Sequence, residues 1–434
     1  MKLRVVAAGA AAVMVAALLA ACGGGSGGKS SGTLTYWASN QAPSLQADRK
    51  VLTPELARFT RQTGVKVKLQ VISWADLLNR ILGATTSGKG PDVVNIGNTW
   101  AASLQATGAF VDFDGGTLGK VGGKGHFLSS SLASCGAAGK SPSSVPVYGE
   151  AYGLFYNKKL FTAAGIDKPP ATWAEMVDDA RKLTRPGQWG LAVEGASYTE
   201  NAHFAFMFGK QNGASLFDGT TPKLDSPQMV AGVRQYLDLM QTDKVVNPAN
   251  AEYANDTPFI RDFATGKAAM LMVQSYATSA IQQDGMSADD FAVAPIPLPS
   301  PLPAGGKKVN SHVAGINLAV FKNTGNKDAA LKFVKFMTST PEQKTLNAAF
   351  GTLPVVPDAY SDSRFQTPST KVFQQVLATT SQPLPMIPQE AQFEPLVGNA
   401  VKALWADVAA GKTVGDGQIK DALTSANQQM KTGG

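Results

Sequence analysis

Cysteine is almost missing from this 434-residue chain: Cys22 and Cys135 are the only two. One pair cannot build a disulfide framework, so the stability of the fold must come from its cores. Cys135 reads as a small buried apolar residue or an incidental loop thiol. A nucleophilic role would need a neighbouring base, and the sequence places none there. Histidine is equally scarce, with His126, His203 and His312 at spacings unlike a metal site. The chain has no His-Glu-x-x-His helix, no phosphate-binding glycine loop and no Gly-x-Ser-x-Gly nucleophile turn. No cofactor and no metal are therefore expected, and the chain reads as a binder rather than an enzyme. Charge is sparse at 16%, and the basic residues are scattered without a long run, which gives no footprint for nucleic acid.

What the chain does have is a globular apolar fraction of 44% and length enough for two domains of ordinary size. Its first residues read differently. Lys2 and Arg4 precede an apolar run from Val5 to Ala21, interrupted by Gly9. Such a run marks a signal peptide, residues 1–21, removed from the mature protein. It ends Leu19-Ala20-Ala21-Cys22, which looks like a bacterial lipobox and implies a lipid on Cys22. An ordinary secretory signal with an incidental Cys22 is the competing reading. An uncleaved span fits less well, because the run is short and glycines follow at once. Residues 22–32 then form a flexible tether. Loss of Lys2 and Arg4 lowers the formal net charge from +7 to +5.

The central stretch is Pro146 to Lys159, PVYGEAYGLFYNKK. Its apolar run flanked by turn residues suggests a short buried strand. Glu150 lies between Tyr148 and Tyr152. A carboxylate among tyrosines suits a polyol, accepting hydrogen bonds from hydroxyls while the rings cover C–H faces. A strand end with solvated Tyr and Glu is the plainer alternative.

Upstream, Thr33–Ala38 has strand composition, Val51–Thr63 reads as an amphipathic helix closed by Gly64, and Val65–Ile72 alternates like a half-exposed strand. Ser73 is placed as the cap of the next helix, which carries Trp74. Pro91–Ile96 is a buried strand. Strand–helix–strand alternation predicts βαβ crossovers and a mostly parallel sheet. Ligands in such sheets gather beyond the carboxyl ends of strands, which points to Trp37, Asn40 and Gln41. Trp37 as a core residue beside an ordinary turn is the alternative. Residues 114–145, rich in Gly, Ser and Ala, read as irregular surface structure.

Several landmarks in order resemble the family 1 extracellular solute-binding proteins, the sugar-binding components of bacterial ABC importers. They are Gly90–Val93, Ala106–Asp112, Pro146 with Glu150, Tyr156-Asn157-Lys158, Ala164-Gly165, Pro169-Pro170, Thr172-Trp173, Gly266–Met270 and Gly351–Pro354. The likeness runs over about residues 33–430. It implies an α/β, two-lobed periplasmic-binding-protein-like fold with three interlobe crossings and a ligand cleft between the lobes. The expected first lobe is 33–147 with 315–351, and the second is 153–310 with 355–434. The crossings fall at 148–152, 311–314 and 352–354.

The resemblance also implies site residues. Asn98 and Trp100 follow the Pro-Asp strand, where relatives touch sugar. Tyr198, Glu200 and Asn201 precede an apolar run in the second lobe; an ordinary helix start capped by Thr199 or Asn201 is the alternative. Tyr276 stands where relatives often carry a stacking Trp, and His312 lies in the return crossing. Trp74, Glu150 and Tyr152 complete the candidate set. The implied partners are a carbohydrate ligand, the transmembrane subunits of an ABC permease and, through lipid on Cys22, the outer face of the cell membrane; a monomer is expected. Two alternatives stay open. Glu150, Glu200 and Glu394 could hide the acid pair of a secreted carbohydrate hydrolase. The ligand could instead be a glycerophosphodiester, an amino sugar or another polyol.

Overall fold

The computed structural model describes residues 32–432, apart from 220, 255 and 256. Residues 1–21, Cys22 and most of the tether therefore lie outside the described residues. Among those described, no helix is long and apolar enough to cross a membrane.

The chain builds two lobes, each around its own sheet. The first sheet contains β1 (Thr33–Ser39), β2 (Lys66–Ile72), β3 (Val93–Gly97) and β4 (Val145–Glu150). Its order is β2-β1-β3, then the return strand Ala314–Val320, then β4. The second holds β5 (Tyr152–Asn157) and β6 (Trp189–Ala192). Strand Phe291–Ala294 pairs with one edge of β5, and strand Ala268–Gln274 lies between β5 and β6.

A mostly parallel arrangement is not what forms. β1 runs parallel to β2 and β3, but the return strand is antiparallel to both β3 and β4. In the second sheet only β6 pairs in parallel with its neighbour. The physical reason is the path of the chain. The return strand enters from the other lobe rather than through a local βαβ crossover, so the crossover rule does not govern its direction.

Helix α1 runs from Leu45 to Thr63, six residues longer at its start than the apolar pattern suggested. Ser44 accepts from the Ala47 amide and sets the true beginning, while Gly64 closes the helix at φ 74°. Helix α2 (Trp74–Ser87) is not capped by the Ser73 side chain, whose hydroxyl donates to Asp76 at 2.6 Å. The Trp74 amide is taken instead by Asn40 Oδ1 at 2.7 Å. Residues 114–145 are more ordered than expected, with short helices at Gly115–Lys120 and Ser129–Leu132. They wrap Cys135, which is fully buried in the first lobe's core; burial pushes its thiol pKa up and leaves it inert.

The three crossings run side by side. Gly149 and Leu353 exchange both backbone hydrogen bonds, at 2.8 and 2.7 Å. The Tyr152 amide donates to Ser311 Oγ at 2.9 Å, and Glu150 pairs with Ala314 across the sheet. Beyond Leu353 the chain first turns back: Val355 and Val356 pack in the first lobe's core. Only from Pro368 onwards does it cover the second lobe, where the long helix Glu390–Ala409 lies along the helix Tyr198–Gln211.

Candidate functional site

A cavity of about 660 Å³ opens between the lobes, a size usual for small-molecule sites. Strand ends build it. The loop after β1 brings Asn40 and Gln41, the loop after β3 brings Asn98 and Thr99, and the end of β4 brings Glu150. From the second lobe come Glu194 beyond β6, Gln274 at the end of its strand, and Tyr198, Glu200 and His203 on one helix.

Of the thirteen sequence candidates within the described residues, the cavity wall gathers nine: Asn40, Gln41, Trp74, Asn98, Glu150, Tyr198, Glu200, Tyr276 and His312. Four do not reach it. Trp37 is half-buried and packs against the first lobe's core beside β3. Trp100 is fully buried beneath Trp74, the rings stacked at 4.4 Å and 23°. Tyr152 is fully buried behind the wall. Asn201 turns away, its Nδ2 donating to the Gly195 carbonyl at 2.8 Å. Ser197, rather than Thr199 or Asn201, caps that helix, so Glu200 and Asn201 sit within its first turn and face different ways.

The wall residues are held by a buried polar network. Gln274 Nε2 donates to the Tyr152 hydroxyl oxygen at 2.7 Å, and that hydroxyl lies 2.8 Å from Glu200 Oε1 and 2.7 Å from His203 Nδ1. His203 Nε2 is 3.0 Å from Glu394 Oε1. A carboxylate only accepts, so Nε2 carries the proton on that side. Glu394 also accepts from Thr99 Oγ1 and Trp100 Nε1, each at 2.7 Å. Burial alone would raise the Glu394 pKa, but the bonds from His203, Thr99 and Trp100 outweigh it and hold the group below its usual value. His312 lies 3.9 Å from His203, ring to ring. Burial, then the neighbouring His203, keep its pKa well below the ordinary imidazole value, so it is neutral at pH 7. Neither of its ring nitrogens meets a hydrogen-bond partner among the described residues.

Beneath the Asn40–Gln41 loop, buried Asp48 accepts from the Gln41 and Ala42 amides and fixes that loop; burial pushes its pKa up to about 7. Asn98 Nδ2 donates to the Val313 carbonyl at 2.7 Å, which ties the loop after β3 to the second crossing. No group of three or more His, Cys, Asp or Glu able to hold a metal ion exists among the described residues.

Sequence reasoning missed Thr99, Glu194, His203, Gln274 and Lys402 in the wall. Glu194 and Gln274 were within reach of the strand-end rule that singled out Asn40. His203 stands three residues after Glu200, on the same helix face. Lys402 carries no local signal.

Three comparisons bear on this architecture. A family model described as "Bacterial extracellular solute-binding protein" matches residues 38–344. A putative binding protein of Brucella abortus (strain 2308) is 22% identical over 402 residues, covering 92% of each chain. The diacetylchitobiose binding protein DasA of Streptomyces coelicolor is 27% identical over 398 residues, covering 88% of this chain and 87% of that one. Among solved structures, maltose-bound MalE3 of T. maritima superposes with a TM-score of 0.79 at 22% identity, covering 92% of this chain and 99% of its own. The matched model spans well over half the chain, both lobes included, and the chain belongs to the bacterial extracellular solute-binding protein family.

Proposed function

We propose that this protein captures a sugar, oligosaccharide or related polyol in the interlobe cavity and delivers it to the permease of an ABC importer. The observation that carries this reading is the chemistry of the wall. Glu150, Glu194 and Glu200 are buried acceptors, and His312 adds a neutral imidazole. Trp74, Tyr198 and Tyr276 offer rings to the C–H faces of a pyranose. Acceptors beside aromatic faces suit hydroxyls. Among the described residues the one Lys or Arg in the wall is Lys402, and it is exposed. A phosphodiester would want a buried cation, so a neutral or amine-bearing polyol is favoured over a glycerophosphodiester. Relatives described as maltotriose-, diacetylchitobiose- and mannitol-binding support the same class.

A hydrolase is the second reading, and Glu394 argues against it. Its carboxylate is fully committed to Thr99, Trp100 and His203 behind the wall, where a glycosidic oxygen does not reach. A thermal-shift panel of mono- and oligosaccharides tests the binding role, because a ligand that binds only the folded state raises the melting temperature. No shift with any sugar or polyol sinks it. Release of reducing sugar by the purified protein would replace it with the hydrolase.

Glu150 ends β4 at the first crossing and is the wall's proposed acceptor for ligand hydroxyls. Glu150→Gln keeps the shape and weakens charge-assisted bonds, so it should cost roughly 1–2 kcal/mol of affinity by calorimetric titration. Wild-type affinity in that variant removes Glu150 from the site.

The crossings at 148–152, 311–314 and 352–354 act as the hinges of closure in this reading. Delivery begins at the membrane: a lipid on Cys22 tethers the protein there through residues 22–32. Cys22→Ala should therefore release the protein from the membrane fraction and abolish lipid labelling. Retention with label intact would count against the anchor.

A further inference from the structure

The network behind the cavity does more than hold its wall. Glu394 belongs to the helix Glu390–Ala409, and its neighbours Phe393, Val397 and Val401 are core residues of the second lobe. Two of its three hydrogen-bond donors, Thr99 and Trp100, belong to the first lobe, in the loop just after β3. The third, His203, belongs to the second. One fully buried carboxylate thus joins groups from both sides of the cleft.

We propose that Glu394 is a positioning residue that latches the two lobes behind the cavity and fixes the Trp100–Trp74 stack that forms part of its wall. Three observations converge on it. First, the two bonds to the first lobe are short, charge-assisted and buried, and such bonds are about twice as strong as neutral ones. Separating the lobes would strip them and leave a carboxylate bonded to His203 alone. Second, Trp74 faces the cavity and its ring rests on that of Trp100, so displacing Trp100 removes the support beneath Trp74. Third, the seam continues along the chain before Glu394. The Ala138 amide donates to the Met386 carbonyl at 3.2 Å, Ser103 Oγ donates to the Pro388 carbonyl, and the Ala391 amide donates to Ser103 Oγ at 3.1 Å. These bonds also join first-lobe residues to the segment leading into the helix.

On the opposite side of Glu394, His203 hydrogen-bonds Tyr152, whose hydroxyl meets Glu200 and Gln274 in the second lobe's wall. A connected set of contacts therefore runs from Trp74 to Glu200 without passing through the cavity itself. These contacts make the two walls physically contiguous, which coupling between them would require. The binding consequence rests on the reading of the cavity as the sugar site; the latch itself does not.

Solution scattering and tryptophan fluorescence on the purified full chain without sugar test the latch. Glu394→Ala should enlarge the radius of gyration and shift tryptophan emission to longer wavelength, as the Trp74–Trp100 stack loosens. Glu394→Gln, which keeps the shape and one carbonyl acceptor, should restore part of both changes. Maltotriose is the first probe of binding, with its dissociation accelerated about tenfold by Glu394→Ala and its association altered less. Scattering and emission identical to wild type overturn the latch, even where the melting temperature falls, because a merely structural residue would lower stability and move neither. If Glu394→Ala fails to fold, the same comparison with Glu394→Gln decides. If maltotriose and the whole sugar panel fail to bind wild type, the sugar reading falls and the sugar-free comparison still stands.

Discussion

Gly398→Ala is expected to lower the melting temperature by roughly 6 °C or more, the largest single-residue effect foreseen for this chain. A Cβ at position 398 would lie 1.9 Å from the Tyr198 carbonyl oxygen and 2.6 Å from its carbon. Those are backbone atoms in the first turn of the neighbouring helix, so no rotamer change relieves the clash. The helices must separate, and the cores on either side open with them. Overpacking of this kind costs about 3 kcal/mol or more where backbone must move. The better helix propensity of alanine returns at most about 1 kcal/mol. Gly417→Ala is the control. It sits in the helix Asp416–Thr432 with nothing near its would-be Cβ, and should be neutral or slightly stabilising. Scanning calorimetry of the two variants checks both forecasts, and equal melting temperatures would mean that the two helices part without cost. Tyr198 also faces the cavity, so Gly398→Ala should weaken sugar binding as well.

Glu390→Gln should stabilise the protein at pH 7 by about 1 kcal/mol or more and leave it unchanged near pH 4. Glu390 is fully buried one turn before Glu394, and neither of its carboxyl oxygens meets a hydrogen-bond partner among the described residues. Burial, then repulsion from Glu394, push its pKa well above the ordinary value. The folded protein therefore keeps the Glu390 proton where the unfolded chain releases it. Below the unfolded pKa, about 4.3, both states hold the proton and nothing is lost. As pH rises above that, retaining the proton costs about 1.4 kcal/mol per unit until the folded pKa is reached. By pH 7 the cost amounts to a few kcal/mol at most. Glutamine imitates the protonated acid and escapes that cost, although its own amide stays poorly paired. Denaturant unfolding of wild type and variant at pH 4 and pH 7 measures the difference. A gain of equal size at both pH values would show that packing, and not protonation, is responsible.

Much of the first lobe was legible because its signals are local. Gly64 terminates α1 through a backbone conformation that glycine adopts readily, and β2 alternates as a half-exposed strand must. Strand ends pointed to loops that line the cavity for the same reason. What stayed hidden depends on packing at long range. The sequence places Trp37, Trp74 and Trp100 equally near the cleft. Only the packing of α2 over the turn Asn98–Trp100 decides that Trp74 faces the cavity and Trp100 lies under it. Glu394 and His203 are separated by 191 positions, and no spacing rule joins them. The start of α1 was misplaced because its first turns carry few apolar residues, while Ser44 marks the boundary with one side-chain bond.

The place of the return strand has a consequence in time. β4 joins the rest of its sheet only through Ala314–Val320, which lies between it and β3. All four strands of the second sheet, by contrast, fall within residues 152–294. A chain that emerges from its N-terminus can complete the later sheet before the earlier one. During that interval β3 and β4 present open edges, the kind that recruit foreign strands. Fragments that stop short of residue 314 should thus aggregate through the N-terminal half, even though every residue of β1 to β4 is present.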